Sequence, residues 1–95
     1  MGKHNALKHE PPDAVAVVIV DIPRGTEVAA VNLEGVPQET VVAVNDIPLG
    51  HKIALRDIAA GEQVIKYGRS IGKASQSIKV GEHVHIHNVK SERWA

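Results

Sequence analysis

The sequence predicts a small, mostly β domain of short strands with little helix. Three observations predict it: a turn device used four times, β-branched runs between the copies, and a segment in which His alternates with Val and Ile. The turn device reads Asp or Ser, then Ile-x-x-Gly-x-x, then Val or Ile, and it begins at Asp21, Asp46, Asp57 and Ser77. In each copy the Ile anchors the chain in the core, and the next two positions open a turn that tolerates Pro. The Gly supplies the positive φ of a type II turn, and the last β-branched residue re-enters the core as the next strand. The aspartates suit the start of such turns, where a short carboxylate accepts backbone N–H bonds, so they read as structural. Spacing between copies is irregular, which excludes a solenoid.

Taken in order, residues 1–12 open polar and read as a flexible N-terminal tail. Residues 14–21 are nearly continuously apolar and β-branched, as in a strand buried on both faces. Residues 38–45 run through Thr40, Val41, Val42, Ala43 and Val44 after a Glu34-Gly35 turn, and read as another strand. Residues 53–60 have room for one or two helical turns between two Gly turns. Residues 64–67 and 71–75 flank Gly68-Arg69-Ser70 as a hairpin. Residues 84–89 are the histidine strand. The β domain thus covers 13–90, and 91–95 form a C-terminal tail.

Ninety-five residues make one modest domain. The chain has no Phe, one Trp and one Tyr, so its core is built from Val, Ile, Leu and Ala. Each fully buried Val or Ile contributes roughly 1.5–3 kcal/mol, and so light a core favours assembly with another subunit. Eleven basic and eleven acidic residues balance, which leaves no electrostatic case for nucleic acid or an anionic membrane. The absence of Cys excludes a disulfide framework, a thiolate metal site and a Cys nucleophile. Met1-Gly2-Lys3-His4-Asn5 has no apolar run behind it, so no signal peptide is read. The apolar run at 14–20 is too short to span a bilayer. The expected location is the cytoplasm.

Chemistry is concentrated in His83-Val84-His85-Ile86-His87-Asn88, which holds half of the six histidines. On a strand, side chains alternate faces, so the three imidazoles share one face and Val84 and Ile86 the other. Imidazoles two residues apart stand roughly 6.5–7 Å apart at Cβ. Two can converge on one metal, and a third reaches the same ion only if the strand bends. No carboxylate lies within the motif, and a solvated polar face remains an open alternative. His51, in Leu49-Gly50-His51-Lys52, sits at a loop-to-strand junction and carries an imidazole, the side-chain type best suited to a proton carrier. Lys52 or Arg56 suits a substrate carboxylate, Arg as a two-pronged donor and Lys as a point charge. For Lys52 the alternative is an ordinary solvated lysine. Lys66 and Tyr67 offer one substrate contact and one ring on opposite faces of a strand, with Tyr67 read as core. Trp94 reads as an interface anchor or a frayed tail.

The segments Asn45-Asp46-Ile47-Pro48-Leu49-Gly50-His51-Lys52-Ile53-Ala54-Leu55, Asp57-Ile58, Val64-Ile65-Lys66-Tyr67-Gly68, Ile71-Gly72 and Gly81-Glu82-His83-Val84-His85-Ile86-His87-Asn88 resemble the small N-terminal domain of the altronate/galactarate dehydratase family. The resemblance runs from about Asp13 to Trp94. It implies an SAF-type domain with a β-clip fold. It implies a lyase in which a much larger catalytic region removes water from a sugar acid to give a 2-keto-3-deoxy acid. The alternative within the family is the small subunit of a sulfolactate sulfo-lyase, which eliminates sulfite. The resemblance further implies a divalent metal, iron(II) foremost with manganese or zinc as alternatives, and no nucleotide. Expected partners are the large catalytic subunit, a sugar-acid or sulfolactate substrate and a second copy of the chain. The resulting site assignment is His51 as catalytic, Lys52, Arg56, Lys66 and Asn88 for substrate, and His83, His85 and His87 for metal. Without the large region, this chain is not expected to turn over substrate by itself. Rival readings are a non-catalytic carbohydrate-binding module and a purely structural subunit.

Overall fold

The Gly turns organise the molecule in pairs. The computed structural model describes residues 4–66, 68–85 and 87–90. In it Ile22 bridges Ile47 and Ile58 bridges Ile78, both antiparallel. All four isoleucines are at most 2% exposed. Gly25, Gly50, Gly61 and Gly81 have φ between 84° and 90°, as the turn requires. Each turn closes with a backbone bond three residues apart, as from Thr26 N–H to the Pro23 carbonyl (3.1 Å) and from His51 N–H to Pro48 (3.0 Å). The first pair of turns is locked reciprocally: Asp21 accepts from Leu49 N–H and Asp46 from Arg24 N–H, both at 2.8 Å. In the second pair Asp57 accepts from Val80 N–H at 2.8 Å. Asp46→Ala is expected to cost about 1–2 kcal/mol in urea unfolding, with Asp46→Asn costing less because its amide oxygen still accepts the bond.

The described residues form nine strands and no helix: β1 (Ala6–Leu7), β2 (Val15–Val18), β3 (Glu27–Val31), β4 (Pro37–Val42), β5 (Lys52–Ala54), β6 (Gln63–Lys66), β7 (Arg69–Ala74), β8 (His83–Val84) and β9 (Val89–Lys90). They make a six-stranded sheet in the order β4-β3-β1-β2-β5-β8 and a three-stranded sheet in the order β6-β7-β9. Pairing is antiparallel except between β1 and β3. The expected double burial at β2 is seen. Ala16 and Val18 enter one core with Ile22, Ile47 and Ile53, while Val15 enters a second with Ala54, Ile58, Ile78 and Val84. Strands β2 and β5 therefore feed both cores. This is how a chain almost without aromatic residues fills its interior.

Two expectations need correction. Residues 1–12 are not a flexible tail throughout, because β1 lies between β2 and β3 and Ala6 is fully buried. Asn5 secures its entry, accepting from Ala29 N–H (2.7 Å) and donating to the Glu27 carbonyl (3.2 Å). Just beyond, the Lys8 ammonium pairs with Glu39 at 2.9 Å. A two-residue strand carries too little alternation to be seen in sequence. Likewise residues 53–60 contain no helix: the start continues β5, and the rest is the third Gly turn. The β6–β7 hairpin stands where expected, with Asp13 accepting from Gly68 N–H at its turn (2.8 Å).

The six-stranded sheet curls until its ends meet. Val44 N–H, just past β4, donates to the carbonyl of Gly81, just before β8 (2.9 Å). At this seam the Gly81 Cα faces the Val42 carbonyl so closely that a Cβ would overlap it. The seam delivers the chain into β8 and its histidines.

Candidate functional site

The histidine segment does not run as one strand over 84–89. β8 stops at Val84, the chain turns through His87 and Asn88, and β9 begins at Val89. Asn88 is the physical reason. Only 1% exposed, its amide nitrogen donates to the His83 carbonyl (2.8 Å) and its amide oxygen accepts from His85 N–H (3.0 Å). The backbone N–H groups of Asn88 and Val89 both reach the His85 carbonyl, at 3.1 and 3.0 Å. An asparagine side chain that satisfies nearby backbone groups competes with a strand ladder, and here it prevails.

The rings nevertheless gather at the Gly50 corner. β5 pairs with β8 in the register Lys52 to Val84 and Ile53 to His83, which brings the turn bearing His51 alongside the histidine segment. His51 Nδ1 lies 2.8 Å from His83 Nε2, so one of these nitrogens carries the shared proton. The His85 ring stacks on His51 with centroids 3.9 Å apart and planes 20° apart, and the His87 ring is 4.8 Å from that of His83. His83 N–H is held by the Asn45 side-chain oxygen (3.0 Å). Four imidazoles from two chain segments thus form one group.

Burial, first, pushes the pKa of His83 below the ordinary imidazole value, followed by the charges of His87, His51, His85 and Lys52. The same direction holds for His85, again through burial first and then His51, Lys52 and His87. The His85 Nδ1 is buried without a hydrogen-bond partner. A neutral His83 ring can accept at Nε2, and the direction of its shift favours that state. The sign of the two shifts fixes the pH dependence of the fold. The unfolded chain holds these protons more tightly, so the stabilisation is complete above about pH 6.5. It is lost as pH falls through the lower folded values. The melting temperature is expected to drop between pH 7.5 and 5, and less steeply in His83→Asn.

The other expected site residues divide. Lys52, half-buried on β5, belongs with the imidazoles, since its charge acts on both His83 and His85. Arg56 is exposed and occupied, 2.9 Å from Glu62 and donating to the Asp57 carbonyl at 2.9 Å. Lys66 is 5% exposed and lies on β6, in the other sheet. Asn88, expected at the substrate, has both ends of its amide engaged with the backbone. Tyr67, Ile86 and Trp94 lie outside the described residues. Among those described, no three of His, Cys, Asp or Glu are disposed to hold one ion. Two of the ring nitrogens bond to each other instead. The described residues do not fit a divalent metal held by this chain alone.

Residues 4–92 match the model of the altronate/galactarate dehydratase SAF domain. The chain belongs to this family. The SAF domain is 45% identical over 87 residues to the (2R)-sulfolactate sulfo-lyase subunit alpha of Chromohalobacter salexigens, covering 90% of the chain and 93% of that relative. It is 52% identical over 54 residues to the like-named subunit of Paracoccus pantotrophus, covering 57% of the chain and 81% of the relative. Against altronate dehydratase of Escherichia coli it is 47% identical over 79 residues, covering 83% of the chain but only 15% of the dehydratase. The relatives are lyases or lyase subunits, so this is a lyase-associated SAF domain. Its all-strand, two-sheet build agrees with the β-clip expectation. No described helix is long and apolar enough to cross a membrane.

Sequence reasoning missed Asn45 and the backbone contacts of Asn88 within this SAF domain. Both stand in the segments that carry the family resemblance, but only the folded chain shows that they hold the histidine backbone. It also missed exposed apolar side chains: Leu49 in the His51 turn, and Val42, Val44 and Val80 near Gly81.

Proposed function

We propose that this SAF domain is the small subunit of a lyase that carries out β-elimination on a 2-hydroxy acid, with His51 as the proton carrier. The 2.8 Å contact between His51 Nδ1 and His83 Nε2 supports this most directly. When His51 Nδ1–H donates to His83, the other His51 nitrogen, Nε2, bears a lone pair and serves as base. It takes the proton beside the substrate carboxylate. The electron pair of that C–H bond forms the C=C bond as the leaving group departs from the next carbon. The resulting enol returns as the 2-keto acid. Lys52, whose charge acts on His83 and His85, attracts the substrate carboxylate as a point charge.

Loss of hydroxyl from a sugar acid and loss of sulfite from sulfolactate share this scheme. Coverage favours the second as a subunit arrangement, because the chain spans 93% of a sulfo-lyase alpha subunit and 15% of an altronate dehydratase. The companion is a large catalytic subunit in the same cytoplasmic assembly. The implied divalent metal, iron(II) before manganese or zinc, supplies Lewis acidity when bound. Its ligands come at least in part from the companion, and none of the steps above passes through it.

The test mixes the chain with its companion subunit and supplies altronate or (2R)-sulfolactate, reading keto acid and sulfite. Keto acid formed by the mixture but by neither chain alone supports the reading, and sulfite release chooses the leaving group. Full activity of the companion alone overturns it.

A further inference from the structure

We infer that Asn88, assisted by Asn45, is a positioning residue that sets the contact between the His51 and His83 rings. β8 has only two residues, His83 and Val84, so ladder pairing ends before His85. Two amide side chains replace it. Asn45 accepts from His83 N–H, Asn88 donates to the His83 carbonyl, and Asn88 accepts from His85 N–H, at 3.0, 2.8 and 3.0 Å. The backbone of His83 is therefore gripped on both its donor and its acceptor by residues from opposite sides in sequence.

Chemistry explains why the gripping residue is asparagine. An amide donates and accepts at once, whereas an ionised aspartate only accepts and would set a lone pair against the His83 carbonyl. Burial leaves the Asn88 amide no opening toward a ligand, since the residue is 1% exposed. A ring contact at 2.8 Å also tolerates limited error: a displacement of roughly 0.8 Å along the contact carries it out of hydrogen-bond range. Asn88 thereby acts on the reaction through His83 and His51. That consequence rests on the function proposed above, whereas the geometric effect does not.

The experiment uses the isolated chain with nitrogen-labelled histidine and reads the ring N–H proton shared by His51 and His83, through its downfield resonance and the nitrogen–nitrogen coupling across it. Asn88→Asp keeps size and acceptor but loses the donor. It is expected to abolish the shared-proton signal while leaving cooperative unfolding intact. Asn45→Ala removes one grip and is expected to broaden the signal, which provides a second reading should Asn88→Asp fold poorly. Ile22→Val, in the other core, is the control that lowers the melting temperature and keeps the signal. In the assembled lyase, Asn88→Asp is expected to lower kcat at least tenfold with KM within twofold. Persistence of the shared proton in Asn88→Asp, or its absence from the parent chain, overturns the inference. A parent chain that shows the signal but supports no elimination overturns only the lyase reading.

Discussion

Replacing Gly81 with alanine is expected to destabilise the fold by about 2–5 kcal/mol, a large share of what a small domain has. Two costs add. An L side chain at a φ of 88° loses roughly 1–2 kcal/mol from local sterics. The new Cβ also overlaps the Val42 carbonyl, and backbone of a paired strand end cannot swing aside as a flexible side chain can; overpacking of this kind costs typically 1–3 kcal/mol. Gly61 isolates the first cost from the second. Its φ of 84° is nearly the same, but nothing lies within 4 Å of where its Cβ would be. Gly61→Ala is therefore expected to lose only about 1–2 kcal/mol. Urea unfolding of the two variants measures the difference, and equal losses would contradict the seam between residues 42–44 and Gly81. Because that seam leads into β8, Gly81→Ala should also disperse the imidazoles.

The second large effect concerns catalysis. In the assembled lyase, His51→Ala is expected to lower kcat by about 10²–10⁴, the range for a positioned acid or base, with assembly unchanged. Assembly should survive because His51 is half-buried in a turn whose stability rests on Gly50, Ile47 and the Asp21 and Asp46 locks. Gel filtration and keto-acid assay on the same sample separate the two quantities. A variant complex that forms and works at the parent rate would return the histidines to decoration.

The turns were legible because their signal is local: an Ile, a flexible glycine and a short carboxylate within a few residues determine the backbone by themselves. Their pairing was not. That Ile22 meets Ile47 and Ile58 meets Ile78 depends on contacts across the chain, and all four copies look alike in sequence. β1 was invisible for the same reason, since Ala6–Leu7 becomes a strand only because β2 and β3 leave a slot for it. The histidine segment shows the opposite failure. Its alternation is a strong strand signal, yet one asparagine amide placed five residues after His83 turns the chain. The grouping of His51 with His83, His85 and His87 followed from the Gly50 corner and the family resemblance. Arg56 and Lys66 were grouped with them by sequence, but Arg56 is engaged at its own turn and Lys66 is buried in the other sheet.

The most direct measurement is a double-mutant cycle on keto-acid formation by the assembled enzyme, using His51→Ala, His83→Ala and the two together. Residues that act as a unit are not additive. If the joined rings form one proton-carrying unit, each single variant loses roughly 10²-fold or more and the double variant loses little beyond the worse of them. A double variant whose loss is the product of the two single losses, or one that retains the parent rate, would contradict it.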